Sequence, residues 1–474
     1  MQTQSLKNKL IGDKRFYGRV LNILLPIIIQ NTVSNVVSLV DNVMIGAVGT
    51  LEMSAVAIVN QLLFIFYLCI FGGLAGAGIF AAQYAGAKDD KGIRHCFRMK
   101  LYIAALMSVI AFAVFLIFPK QLISMYFAED TAATDAANTL KFALDYLFVM
   151  LIGLVPFAFS QVYGSTLREL GETKVPMLAS VTAICVNLLF NYVLIFGNKG
   201  LPFLPFAPLG VVGAAVATVL SRFAEAAIII IYIHKNCDKY PFIKGAYSSP
   251  KIPLDLFQNI VRKGSPLLIN EFFWSLGMAM LNQCYSLRGL EVVAASNISS
   301  TASNLFNVAF LSMGNAIAIM AGQYLGAGEN EKAKTTVWRL LFLSVVVCVI
   351  MGGLLIAAAP FIPLLYNTTE TVREMAKELL YVVAALMPFY AFAHGTYFAL
   401  RSGGKTMITL VFDCGFTWGL AFPLAFILSR FTVLPMLPMF LIIQLLDMVK
   451  CIIGFILVKK GVWINNLVTI NEDA

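Results

Sequence analysis

Charge is what this 474-residue chain has least of: Asp, Glu, Lys and Arg make up 12% of it, while 59% is hydrophobic. Soluble domains carry about 25% charged and about 45–50% apolar residues, so a soluble fold of this composition lacks the polar groups to cover its own surface. That excludes a cytoplasmic enzyme, a secreted disulfide scaffold and a nucleic-acid binder as leading readings. Histidine is scarcer still. His95, His234 and His394 lie far apart and make no metal-binding spacing. The eight cysteines form no C-x-x-C pair and sit mostly in apolar runs, where they read as small core hydrophobes. The chain also lacks a polar segment large enough for a nucleotide-binding domain. No small-residue cleavage pattern follows the first hydrophobic run, so the amino-terminal segment is expected to be retained.

Long apolar runs are abundant. A helix needs about 20 predominantly apolar residues to cross the hydrocarbon, and twelve such runs occur, near 17–40, 52–80, 99–118, 142–166, 176–197, 209–233, 264–287, 292–320, 338–360, 378–400, 407–428 and 434–458. The polar stretch 235–263 divides the chain nearly in half and reads as a cytoplasmic linker between lobes 1–234 and 264–474. With the amino terminus inside, 25 of the 34 basic residues face the cytoplasm, seven face outward, and Arg222 and Lys450 lie within spans. This bias predicts both termini inside the plasma (inner) membrane.

The halves repeat. A shift of 240 residues places Pro26 on Pro266, Gly49 on Gly289 and AAQYAGA at 81–87 on AGQYLGA at 321–327; a shift of 233 places Arg168 on Arg401. Six spans per half is an even number, so both copies enter the membrane in the same direction and are related by an axis along the membrane normal. The predicted fold is an all-α polytopic membrane protein, with twelve transmembrane helices in two six-helix bundles related by a pseudo-two-fold. Two nucleotide-like patterns are rejected. Gly76-x-Gly78-x-x-Ala81 lies inside a span and reads as helix packing, and Gly404-Lys405-Thr406 lacks the first glycine of a phosphate loop.

VSLVDNVMIGAVGTLEMSAVAIVNQ at 37–61, AAQYAGAKD at 81–89, VNLLFNYVLIFG at 186–197 and PLGVVGAAVATVLSR at 208–222 resemble the first half of a multidrug and toxin extrusion (MATE) transporter. PLLINEFFW at 266–274, AGQYLGAGE at 321–329 and RSGGKT at 401–406 resemble its second half. The resemblance covers nearly the whole chain. It implies a secondary antiporter, not an enzyme, that exports cationic or amphipathic organic compounds in exchange for Na+ or H+ by alternating access. The alternative is a flippase for a lipid-linked sugar. The expected partners are a small organic substrate, a coupling cation and membrane lipid, with no cofactor, no nucleic acid and a monomeric protein.

Ionised residues in a membrane are costly and are expected to face a partner or a wet cavity. Asp41 closes an uncharged stretch that begins after Arg19, roughly 33 Å along a helix. Asn187 and Asn191 sit at i and i+4 on one face of the fifth span, and Thr218 reaches a similar depth on the sixth. In one branch of the family the corresponding cluster has an aspartate on the first span, an asparagine and a second aspartate on the fifth, and a threonine on the sixth. Asp41, Asn187 and Thr218 match that pattern, whereas Asn191 stands where the second carboxylate would be. Amide oxygens suit Na+, but a charge and a titratable group are lost; plain interhelical hydrogen bonding is the alternative role for the asparagines. In the second half, Glu271 matches the glutamate by which another branch holds its ion. Glu271 and Asp413 together would share a proton or a cation, or be hydrogen-bonded to Asn270 or Gln283 as packing groups. Na+ is therefore placed at Asp41, Asn187 and Thr218 or at Glu271. Arg222 with Glu225, and Asp447 with Lys450, are spaced to neutralise themselves. Asp145 and His394 lack obvious partners and are secondary candidates.

Overall fold

The computed structural model describes residues 10–127, 133–200, 205, 207–366 and 368–468; the basic residues Lys7 and Lys9 lie outside these. Among the described residues there is no strand. Twelve long helices follow one another: α1 (Lys14–Gly46), α2 (Thr50–Ala87), α3 (Asp90–Ile117), α4 (Ala133–Glu169), α5 (Lys174–Gly200) and α6 (Gly210–Lys235), then α7 (Leu254–Ser286), α8 (Leu290–Gly326), α9 (Asn330–Ala358), α10 (Glu370–Ser402), α11 (Thr406–Phe431) and α12 (Met436–Lys460). Many ends are charged as the helix dipole favours. Asp90, Asp255, Glu331 and Glu370 occupy first turns, and Arg168, Lys235, Arg401 and Lys460 occupy last turns.

Eleven of these helices are long and apolar enough to cross a membrane. The exception is α7, which contains the twelfth predicted span. Its 33 residues suffice in length, but Asn270, Glu271, Asn282 and Gln283 dilute its apolar character. Large hydrophobic residues point outward along the helices: Leu106, Val109 and Ile117 on α3, and Val349, Ile350 and Leu354 on α9, are each more than half exposed. Such a surface would aggregate in water; lipid is its natural solvent. The protein is an integral multi-pass membrane protein.

The chain forms two compact units, one of residues 29–78 and 90–257, the other of residues 1–28, 79–89 and 258–474. The boundaries at 28/29, 78/79 and 257/258 fall inside α1, α2 and α7, and the second half groups with two short pieces of the first. In the first of these units α6 packs on α4 and α5. The Lys100 ammonium of α3 is fully buried and donates to Glu169 at 2.5 Å, Ser165 at 3.0 Å and Thr166 at 3.2 Å on α4. Gly78 leaves room for that ion pair: a methyl group there would sit 2.5 Å from a Glu169 carboxylate oxygen. This is packing, as the rejected dinucleotide pattern implied.

The linker segment proves to be an ordered strap. Arg98 donates to the carbonyls of Ala246, Gly245 and Lys251 at 2.8, 2.7 and 2.9 Å, and Arg94 to those of Phe242 and Pro241 at 3.0 and 3.2 Å. Backbone turns satisfy some strap carbonyls, among them those of Pro241 and Gly245, and the two guanidinium forks tie five carbonyls of the strap to α3. Lys239 pairs with Glu172 at 2.6 Å, which holds its ammonium above the ordinary lysine range. From Leu254 onward the segment is already α7.

In the unit that contains the second half, α8, α9 and α10 pack together with α12 against α10. Their core gathers Met313, Ile317, Met320, Leu340, Leu400 and Trp463. The repeated AAQYAGA and AGQYLGA segments meet here reciprocally. A methyl group at Gly86 would lie 1.9 Å from the Gln323 carbonyl oxygen, and one at Gly326 1.8 Å from that of Gln83. The contact is the same from either side, as a two-fold relation requires. The turns that follow also correspond: Gly328 has φ +76°, and Lys88, 240 residues earlier, adopts φ +57° without a glycine's freedom.

Candidate functional site

Three helices bring the predicted residues of the first half together. Asn191, on α5 and 1% exposed, donates to an Asp41 carboxylate oxygen of α1 at 2.7 Å and to the Asn187 carbonyl at 3.1 Å. Asn187 in turn donates to Thr218 on α6 at 3.3 Å, and Thr218 donates to the Ala214 carbonyl at 3.0 Å. The opposite end of the Asn187 amide lies 3.1 Å from both Asp41 oxygens. With its nitrogen at that end, the amide donates to the carboxylate. The buried carbonyl oxygen of Asn191 has no hydrogen-bond partner among the described residues. One carboxylate, two amide oxygens and a hydroxyl form a donor set of the kind a hard monovalent cation accepts, so the residues fit Na+.

A second polar chain runs through the same unit. Gln30 donates to Ser180 at 2.7 Å, Ser180 to Glu225, and Glu225 faces Arg222 at 3.5 Å. The Arg222 guanidinium lies over the rings of Phe157 at 5.1 Å and Tyr67 at 5.9 Å. This pair neutralises itself as its spacing predicted. Asp145 lines a separate cavity of about 340 Å³ with Glu52 and Lys199.

The second half also clusters its candidates, but with an added member. Asp413 accepts from Asn270 at 3.2 Å and from Lys450 at 3.1 Å. Lys450 stands 3.6 Å from Asp447, so it does not serve Asp447 alone: it bridges two carboxylates and is nearer to Asp413. Asn270 also donates to Tyr397 at 3.3 Å, and Glu271 is the next residue of α7. The Asn270 link is the hydrogen-bonded alternative made visible, whereas Gln283 takes no part in these bonds. Two π-helical turns, Val411–Gly415 and Thr417–Ala421, interrupt α11 where Asp413 sits; such insertions often occur at functional sites. His394 is half-buried and edge-on to Phe310, its ring centroid 5.4 Å away, and its Nε2 has no hydrogen-bond partner among the described residues.

Lys450, Tyr397 and the π-helical turns escaped sequence reasoning. The i+3 spacing of Asp447 and Lys450 offered a complete local explanation, which concealed the third partner on α11.

The MatE family profile matches residues 26–193 and 266–427, one stretch in each half. The chain belongs to the MatE family. Its members are membrane transporters, and two of its curated relatives carry multidrug-resistance names. The probable multidrug resistance protein NorM of Thermotoga maritima is 24% identical over 416 residues, 87% of this chain and 85% of that protein. The probable multidrug resistance protein YoeA of Bacillus subtilis is 24% identical over 418 residues, 87% of each. Among solved structures, an outward-facing multidrug resistance MATE family transporter of the MOP superfamily superimposes with a TM-score of 0.84 at 21% identity, covering 96% of this chain and 97% of that one. A MOP superfamily transporter from Pyrococcus furiosus does so with a TM-score of 0.81 at 20% identity and the same coverage. At such identities these structures establish the MatE fold, with its paired six-helix halves, for this chain.

Proposed function

We propose that the protein is a secondary active antiporter of the plasma membrane, both termini cytoplasmic, which exports cationic or amphipathic organic compounds in exchange for Na+ or H+. The Asp41 cluster carries this reading: a single carboxylate held among α1, α5 and α6 by groups that also suit a bound cation. Asn191 fixes the carboxylate by donating to it at 2.7 Å. A cation or proton on Asp41 cancels the negative charge that would hold a cationic substrate, so ion and substrate compete and their movements are opposed. The multidrug-resistance names of the relatives support the substrate class. Na+ would be held by Asp41, Asn187, Asn191 and Thr218; a proton would be held by Asp41 alone.

A lipid-linked sugar flippase would need free basic residues for its phosphates, yet Arg222 and Lys450 are each paired with carboxylates. The test is uptake of ethidium into vesicles containing the purified protein, under imposed Na+ or H+ gradients of either sign. Antiport predicts flux driven by one of these gradients and absent from empty vesicles. Flux indifferent to both gradients sinks the reading.

A further inference from the structure

The repeat supplies an internal template for a cation site. Counted back from the helix ends Lys235 and Lys460, Arg222 and Glu225 fall thirteen and ten residues in, and so do Asp447 and Lys450. The same slot in the two halves therefore carries opposite charge. The ring neighbours correspond too. The shift of 233 that relates Arg168 to Arg401 carries Phe157 to Tyr390, and the shift of 240 carries Tyr67 to Asn307.

In the first half this slot is filled from within, by the Arg222 guanidinium over Phe157 and Tyr67. In the second half it opens into a cavity of about 380 Å³, whose wall includes Asn307, Tyr390, Asp447 and Lys450. That size suits a small-molecule site. The oxygens of Asn307 and Tyr390, and the hydroxyl of the 4%-exposed Ser303 beside them, have no hydrogen-bond partner among the described residues. Buried polar groups are normally satisfied, so these are polar atoms of the cavity wall that the chain leaves unpaired, each able to accept a hydrogen bond. Trp274, Tyr285 and Phe440 complete an aromatic lining, and aromatic faces attract organic cations. Lys450 does not fill the slot. Its ammonium is drawn toward Asp413 and over the Phe416 ring, 4.9 Å away, which leaves Asp447 the less closely paired carboxylate.

We propose that this cavity binds the positively charged head of an organic cation, which takes the place that Arg222 fills in the first half. Asp447 is its counter-charge, Asn307 and Tyr390 accept its hydrogen bonds, and Lys450 withdraws to Asp413 as the head arrives. The site rests on the transport reading for its purpose but not for its chemistry.

The experiment is ethidium binding to the purified full chain in detergent, followed by fluorescence anisotropy. A lost charged contact in a partly buried site predicts that Asp447→Asn weakens binding by roughly tenfold or more, and that Lys450→Gln strengthens it by removing the internal competitor. Nile red, an uncharged dye, should bind both variants as it binds the wild type. The proposal is overturned by wild-type protein that does not bind ethidium, by unchanged affinity in Asp447→Asn, by weaker binding in Lys450→Gln, or by parallel loss of Nile red. Asp447-dependent binding without any transport of ethidium would keep this site and sink the antiport reading instead.

Discussion

Replacing Lys100 by Met would remove one charge from a pair with almost no access to solvent. The Lys100 side chain is 0% exposed and that of Glu169 15%. The ammonium has three partners, Glu169, Ser165 and Thr166, at 2.5 to 3.2 Å, so its three donors are all used. Breaking one side of a buried pair strands the other charge, at a cost of about 3–5 kcal/mol. Removing both together costs much less, because similarly sized apolar side chains need no solvation. The expected order of thermal stability in detergent is therefore wild type, then Lys100→Met/Glu169→Leu, then either single variant. Melting curves of the four proteins, read as a double-mutant cycle, give the coupling directly. Equal melting temperatures for Lys100→Met and wild type would refute the claim that this pair ties α3 to α4.

Three further outcomes follow from named contacts. Lys88→Gly relieves a left-handed backbone that Gly328 adopts freely in the second half, and should stabilise the protein by about 0.5–1 kcal/mol, read as a raised melting temperature. Arg98→Ala removes three hydrogen bonds that hold the strap to α3 and should speed amide hydrogen exchange across residues 241–251 without altering exchange in α8; unchanged exchange in the strap contradicts the clamp. Asn191→Asp places a second carboxylate beside Asp41. Like charges at close range keep one proton bound to higher pH, so the pH dependence of transport should move upward. A downward shift or none rejects that geometry.

Much of this fold was legible in the chain because lipid imposes strict rules on sequence. Twelve apolar runs of spanning length, and repeats at shifts of 240 and 233, indicated paired six-helix halves before any contact was known. The edges were less legible, since helices such as α8 continue past their apolar centres as charged or polar turns. The strap at 236–253 read as a linker because its order comes from Arg94 and Arg98, which are remote in sequence. Asp41, Asn187, Asn191 and Thr218 could be grouped because depth along a helix follows from residue count. Lys450 could not be joined to Asp413 in that way: which residues face each other across α11 and α12 depends on π-helical turns that no spacing rule announces. The inverted charge order of Arg222–Glu225 and Asp447–Lys450 was present in the sequence throughout, but its meaning required the aromatic neighbours of each pair.

The central claim is that ion exchange passes through the Asp41 carboxylate, and vesicle flux of Asp41→Asn tests it most directly. Asparagine keeps the size and a hydrogen-bonding end but removes the charge that both ion and substrate need. The account predicts that wild-type vesicles accumulate ethidium along an imposed Na+ or H+ gradient, and that Asp41→Asn vesicles of equal protein content lose this gradient-driven flux. Full gradient-driven flux in Asp41→Asn would contradict it.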